Sequence, residues 1–255
     1  MEVTPTDHLR FERTPMPMAA MAIDYPHNTF IASHQHRRAQ LLHAIEGVMI
    51  ISAPSGRWVV PPTRGVWLAA GLEHTVQTSG NVKMRTVFVE PGAAPLPEAS
   101  CVVEISPLVR ELILAAVDIP LDYVPDSRDA RLMRLLLDEL TALPVLPLYL
   151  PWPRDPRLAQ VCDQLVKTPA DATTLEDWAA GLGLSAKTFQ RRFTAETGIT
   201  FGRWRQQARL LQALEALAHG EKIVNVALDH GYASQSAFAA MFKRHFGVPP
   251  SAFYR

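Results

Sequence analysis

One pattern occurs twice near the end of this 255-residue chain, and it constrains the fold more than any other feature. The first copy reads Leu175, Ala179, Gly183, Ser185, Phe189, Phe193, Gly198. The second reads Ile223, Ala227, Gly231, Ser234, Phe238, Phe242, Gly247. From the serine onward the spacing is identical, at four, four and five residues, and the Gly-to-Ser turn is one residue longer in the second copy. A repeat of this length is one supersecondary unit used twice. Each copy offers a small residue in a first helix, a Gly turn, a Ser placed to cap, and an apolar pair at i and i+4. That is the outline of a helix-turn-helix, expected at about 174–197 and 222–246. Two in tandem point to a reader of double-stranded DNA.

Within the first copy, Thr173 and Thr174 precede Glu176 and Asp177, an N-cap followed by acids in the first turn. Leu175, Trp178, Ala179 and Leu182 form the expected buried face, with Ala179 small where the second helix crosses. Burying Phe189 and Phe193 leaves Lys187, Thr188, Gln190, Arg191 and Thr194 outward on the second helix. Arg and Lys reach guanine O6/N7 and Gln pairs with adenine N6/N7, and the early residues of a recognition helix come closest to base edges. Residues 201–219 read as one long helix stopped by Gly220, on the order of 27 Å at 1.5 Å per residue. In the second copy, Ser234 caps a helix that turns Gln235, Ser236, Ala239, Ala240, Lys243 and Arg244 outward. Gln235 and Ser236 suit bases there, while Lys243 and Arg244 suit phosphates. This second face opens with small and neutral groups, so the first copy is expected to dominate base reading.

Residues 155–255 resemble the DNA-binding domain of the AraC/XylS family, down to Gly231-Tyr232-Ala233-Ser234-Gln235-Ser236-Ala237-Phe238 and the closing Phe246-Gly247-Val248-Pro249-Pro250-Ser251. The resemblance implies a transcription regulator that binds DNA through tandem helix-turn-helix units. It also implies a homodimer that answers a small effector and acts beside RNA polymerase.

Net charge is formally zero, which at first counts against nucleic acid, but distribution matters more than the sum. Lys187, Arg191, Arg192, Arg203, Arg205 and Arg209 stand together against Glu196 alone. Acidic residues gather elsewhere, among them Glu104, Glu111, Asp118, Asp122, Asp126, Asp129, Asp138 and Glu139. Hydrophobic content of 48% and charged content of 20% fit a folded chain. Apolar runs break well before 18 residues, so no membrane span is expected. Residues 1–7 carry neither a basic nor an apolar leader region, so a cytoplasmic, nucleoid-associated protein is expected. Cys101 and Cys162 match no metal or redox spacing and read as reduced, buried thiols.

The first hundred residues change character. Short apolar runs at 41–45, 48–51, 58–60, 66–68 and 85–89 are separated by Gly, Pro, Ser and Asn, favouring a sandwich or barrel. Inside this half stand His34-Gln35-His36, then Gln40 and Gly47, and later Gly71-Leu72-Glu73-His74. On a strand, His34 and His36 project from one face. This arrangement resembles the cupin barrel, whose first motif is met by His34, His36, Gln40 and Gly47, with Gln where the family has a carboxylate. The second motif is met at Gly71 and His74, while Ala69 and Thr78 replace its Pro and Asn. Three imidazoles and Gln40 can hold a divalent Zn, Ni, Fe or Mn, or the same residues can line an effector pocket.

From about residue 105 the period becomes helical. Leu108, Leu112, Ile113 and Ala116 follow Pro107, and a second helix starts near Asp126-Ser127 with Met133, Leu136, Leu140 and Leu143 along one seam. That seam suits dimerisation or packing on the chain's own barrel. Prolines at 144, 147, 151, 153 and 156 block a helix and favour an extended connector. The expectation is therefore an α+β multidomain chain. A cupin-like sensing barrel spans 1–100, a helical segment 101–143, a proline linker 144–154 and the all-α reader 155–255. The rival is a metal-dependent cupin enzyme fused to a DNA domain. The missing carboxylate and the lack of a second catalytic pair weigh against it, and no catalytic residue is assigned.

Overall fold

The computed structural model describes residues 2–3, 8–62, 64–146 and 148–252; residue 1, residues 4–7, Thr63, Pro147 of the proline run and residues 253–255 at the end of the expected reader lie outside the described residues. The chain divides into two compact units, one of residues up to 53 with 60–149, the other of 54–59 with 150 onward.

The first unit contains β1 (Glu2–Val3), α1 (Leu9–Glu12), β2 (Met18–Tyr25), β3 (Phe30–His34) and β4 (Ala39–Ala53). After β5 (Gly56–Val60) come β6 (Arg64–Leu68), β7 (His74–Val89), β8 (Cys101–Glu104), α2 (Pro107–Ala116), α3 (Arg128–Thr141) and β9 (Val145–Leu146). The sheet runs β1-β3-β7-β4-β6-β8-β9, and β2 pairs with the second half of β7. Among the described residues the two ends of this ladder do not pair, so the sheet is open where a barrel was expected. The runs at 41–45 and 48–51 are one strand rather than two, because β4 passes through a bulge instead of a turn. Gly47 sits in that bulge at φ +78°, and a Cβ there would meet the Asn81 carbonyl oxygen at 2.4 Å.

Alternation along the strands divides the core. Met18, Ala20, Leu41, Trp67, Val87 and Val89 face α2 and α3, while Phe11, Ala19, Met21 and Phe88 pack on the opposite side. Ser106 and Ser127 cap the two helices, accepting from the Val109 and Ala130 amides. Met133, Leu136, Leu137 and Leu140 of α3 are buried against this sheet and α2, with Leu143 packed beside them. The seam is therefore consumed inside its own unit, and it is not a free surface for a second copy.

The end of the proline run leads into the second unit as a strand, β10 (Tyr149–Pro151), which pairs with β5. Then follow α4 (Pro156–Lys167), α5 (Leu175–Gly181), α6 (Ala186–Thr197), α7 (Phe201–Ala218), α8 (Ile223–Asp229), α9 (Gln235–Phe246) and a 3-10 turn (Pro250–Ala252). Phe189, Phe193, Phe201 and Trp204 are buried and meet edge-on at 5.0–5.9 Å between rings, a desolvated aromatic centre around which α6 and α7 are fixed.

Candidate nucleic-acid interface and interior histidine cluster

The first helix-turn-helix is built by its caps. Thr174 and Asp177 form a capping box at the start of α5, and the Ser185 hydroxyl accepts the Thr188 amide at 3.2 Å at the start of α6. Because Phe189 and Phe193 are fully buried, the opposite side of α6 is set by geometry. Lys187, Arg191 and Arg192 are exposed there, and Thr188, Gln190 and Thr194 are half-buried beside them. The Gln190 amide donates to the Thr194 hydroxyl at 2.9 Å, which holds the Gln190 side chain along the helix. Arg192 belongs to this exposed surface although sequence reasoning left it off the reading face.

The second copy repeats the construction. Ser234 accepts the Ala237 amide at 3.2 Å, Phe238 and Phe242 are buried, and Gln235, Ser236, Lys243 and Arg244 are exposed. Ala239 is half-buried, whereas Ala240 is exposed. Arg203, Arg244 and His245 line an open cleft with Gln206, Gln207 and Met241, joining α7 to the end of α9.

Two cations counted in the basic run do not face outward. Arg205 donates to the Thr173 carbonyl at 2.6 Å and to the Asp171 carbonyl, with the Asp171 carboxylate 3.8 Å away. Arg209 donates to Pro169 O at 2.7 Å, Asp171 O at 3.0 Å and Gly231 O at 3.4 Å. These i, i+4 guanidiniums tie the loop before α5 and the turn of the second copy to α7. Local sequence gives no hint of this, because carbonyl acceptors have no side-chain signature.

In the first unit the structure brings His34, His36 and His74 together, with ring centroids 4.4–5.5 Å apart. His34 ends β3 and His74 begins β7, where the two residues pair directly. His36 lies beyond the end of β3, so strand alternation does not explain its direction. It is turned inward because its segment is pinned by neighbours from elsewhere. Arg38 donates to the Thr14 and Met16 carbonyls at 2.7 and 2.9 Å, and Glu12 takes the Arg37 amide at 3.0 Å.

The tautomers follow from these partners. Ring Nδ1 lies 2.7 Å from the Ala32 carbonyl in His34 and 2.9 Å from the Leu72 carbonyl in His74, so each Nδ1 carries the proton. In His36, Nδ1–H donates to Glu12 Oε1 at 2.6 Å. All three rings thereby keep an Nε2 lone pair for the interior. His36 Nε2, His74 Nε2 and Gln40 Oε1 are buried and have no hydrogen-bond partner among the described residues. Burial pushes His36 and His74 down to about 4, so both rings are neutral near pH 7. Burial works to raise the Glu12 carboxyl, but bonds from His36 and the Arg37 amide outweigh it and hold it below its ordinary value.

Sequence reasoning found the three histidines and Gln40 but missed His8 and Glu12. His8 is buried, its ring 4.5 Å from that of His36, and its Nε2 lies 3.3 Å from Glu12 Oε1. The i, i+4 pair His8–Glu12 was the available signal, yet nothing local connects it to His36, 24 residues on.

A helix-turn-helix domain family matches residues 178–255. The HTH-type transcriptional regulator NimR of Escherichia coli K12 is 35% identical over 220 residues, covering 86% of this chain and 81% of that protein. The HTH-type transcriptional regulator RipA of Corynebacterium glutamicum is 42% identical over 121 residues, 47% of this chain and 34% of that one. A solved structure of ToxT from Vibrio cholerae aligns over 94% of this chain and 98% of its own, at 10% identity and a TM-score of 0.39. Since the likeness to NimR extends over most of both proteins and through both units, the chain belongs to the AraC/XylS family of DNA-binding transcription regulators.

Proposed function

We propose that this regulator reads its operator mainly through α6, and that the interior histidine cluster is its sensing site, taking a divalent transition-metal ion. The observation carrying the second part is the pocket itself. His34, His36, His74 and Gln40 turn toward a space of about 30 Å³. That is room for one or two water-sized groups, against the several hundred Å³ that an organic ligand occupies. Three neutral imidazoles, each with a ring nitrogen within 4.8 Å of the others', and with the His36 and His74 Nε2 atoms buried without a partner, suit Zn, Ni or Fe. Gln40 Oε1, also unpartnered, supplies a fourth oxygen donor. A bound ion would contribute charge that draws these four groups together; orientation and water exclusion come from the chain. Elemental analysis of the purified protein and of His36→Ala tests the site. Metal near one equivalent in the first and little in the second is expected, and sub-stoichiometric metal in both removes the reading.

For the reader, Lys187, Gln190 and Arg191 supply base contacts on α6, with Thr188 and Thr194 beside them. On α9 Gln235 and Ser236 reach bases, and Lys243 and Arg244 hold phosphate, with Ser234 and Ala239 at its margin. Arg192 adds a further phosphate contact. Selection of bound sites from random DNA, with and without added metal, identifies the operator and shows whether the cation changes preference. The same reading takes the protein as a cytoplasmic homodimer that works beside RNA polymerase and performs no catalysis. Sedimentation of the full chain tests the dimer, whose contact must lie outside the buried α3 seam.

A further inference from the structure

The site as read from its motifs lacks a carboxylate, because Gln40 stands where an acid is expected. The geometry points to Glu12, carried in by α1, as the positioning carboxylate of this site. Its Oε1 takes the Nδ1–H of His36 at 2.6 Å, and its Oε2 takes the Arg37 amide at 3.0 Å. Both oxygens are thus committed to the segment that delivers His36. The consequence is at the far side of the ring. A proton fixed on Nδ1 leaves Nε2 as the lone-pair atom, and the carboxylate makes that nitrogen a better donor. It also places one negative charge a single imidazole away from an otherwise neutral donor set.

His8, Glu12 and His36 together form a second group of metal-capable side chains. The short hydrogen bond decides between the two. Direct ligation by Glu12 and His36 Nδ1 would require that bond to break, whereas ligation through Nε2 uses it. His34 and His74 are held from carbonyls, so only His36 among the three is oriented by a charged group. Phe11, next to Glu12 on α1, is buried and stacked on Phe88 at 6.1 Å, and it contributes no atom to the donor set or to the bonds that hold the Glu12 carboxylate.

This inference rests on the cation reading of the pocket, and the test separates the two. Cobalt(II) is titrated into metal-free full-length wild type, Glu12→Gln, Phe11→Ala and His74→Ala, recording affinity and the visible ligand-field bands. Glu12→Gln keeps the shape and an acceptor oxygen but removes the charge. It is expected to weaken cobalt binding about 10–100-fold and to shift the bands, while Phe11→Ala leaves the bands in place. Loss of binding in His74→Ala locates the ion. Wild type that takes up no cobalt overturns the cation reading, and this inference with it. Wild type that binds while Glu12→Gln matches it in affinity and spectrum overturns the role of Glu12 alone. Equal effects of Glu12→Gln and Phe11→Ala on both readouts also overturn it, since Glu12 would then act only by seating α1.

Discussion

His36 and His74 show what burial does to a single ring. Each is 5% exposed or less and is pushed down to about 4 from an ordinary 6.5. Between those values the unfolded chain holds more protons than the folded one, so stability present above pH 6.5 is lost as pH falls toward 4. Metal-free protein should therefore be less stable at pH 5 than at pH 7, seen as a lower denaturant midpoint at pH 5. An unchanged midpoint would mean the rings are solvated. On the reading face, Arg191→Ala should cost about 1–3 kcal/mol at the operator and relax one base position. An equal loss on all sequences would make Arg191 a phosphate contact. Lys243→Ala should weaken binding without altering preference and should reduce the salt slope. At this scale the sequence was legible wherever spacing carries the information. The faces of α6 and α9 follow from Phe189, Phe193, Phe238 and Phe242, and the imidazoles from two short motifs. Glu12, Arg205 and Arg209 were not legible, since their partners are far along the chain or are backbone carbonyls.

The elements repay a similar comparison. Both reading helices begin at a capping Ser and bury a Phe pair, yet α6 exposes Lys187, Arg191 and Arg192 where α9 opens on Gln235, Ser236 and small residues. The shared skeleton shows that the copies fold alike, and the difference in charge argues that they read unequally. What joins them is α7, through Arg209. Gly231, at φ +75°, packs so closely that a Cβ would lie 2.9 Å from the Arg209 guanidinium and 3.1 Å from the Ala170 Cα. Gly231→Ala should cost about 1–3 kcal/mol from the backbone alone, seen as an earlier thermal transition. Arg209→Ala should destabilise the reader by about 2–3 kcal/mol, because three carbonyl bonds are lost together. A variant that melts like wild type would show that the clamp is dispensable. In the first unit Met133, Leu136 and Leu140 lie on one buried face of α3 as their spacing predicts, while Leu143 falls past its end, and periodicity cannot say which surface an apolar stripe covers. Leu136 is fully buried on its own sheet, so Leu136→Ala should cost about 2–5 kcal/mol and leave the oligomeric state unchanged.

Across the whole molecule the main division falls in the proline run, near residue 150, while the change of period from two to 3.6 near residue 105 marks only the passage from the sheet to α2 and α3 inside the first unit. What periodicity could not convey is that residues 54–59 fold with the C-terminal unit. There Ser55 accepts the Trp152 amide at 3.0 Å, and the Arg57 guanidinium lies 4.8 Å over the Trp152 ring. A regulator whose sensing and reading sites lie in different units works only if occupancy of one changes affinity at the other, and such coupling is reciprocal. If a cation in the His34–His36–His74 site alters operator affinity, the operator must alter cation affinity by the same factor. Coupling of 1–3 kcal/mol would appear as about a 5–150-fold ratio in each direction. The measurement is a thermodynamic square on the full chain. Operator binding is titrated with and without saturating cobalt, and cobalt binding with and without saturating operator. Equal ratios away from one make the cation the signal. Ratios of one in both directions make it a structural ion of the first unit, with the effector to be sought at another surface.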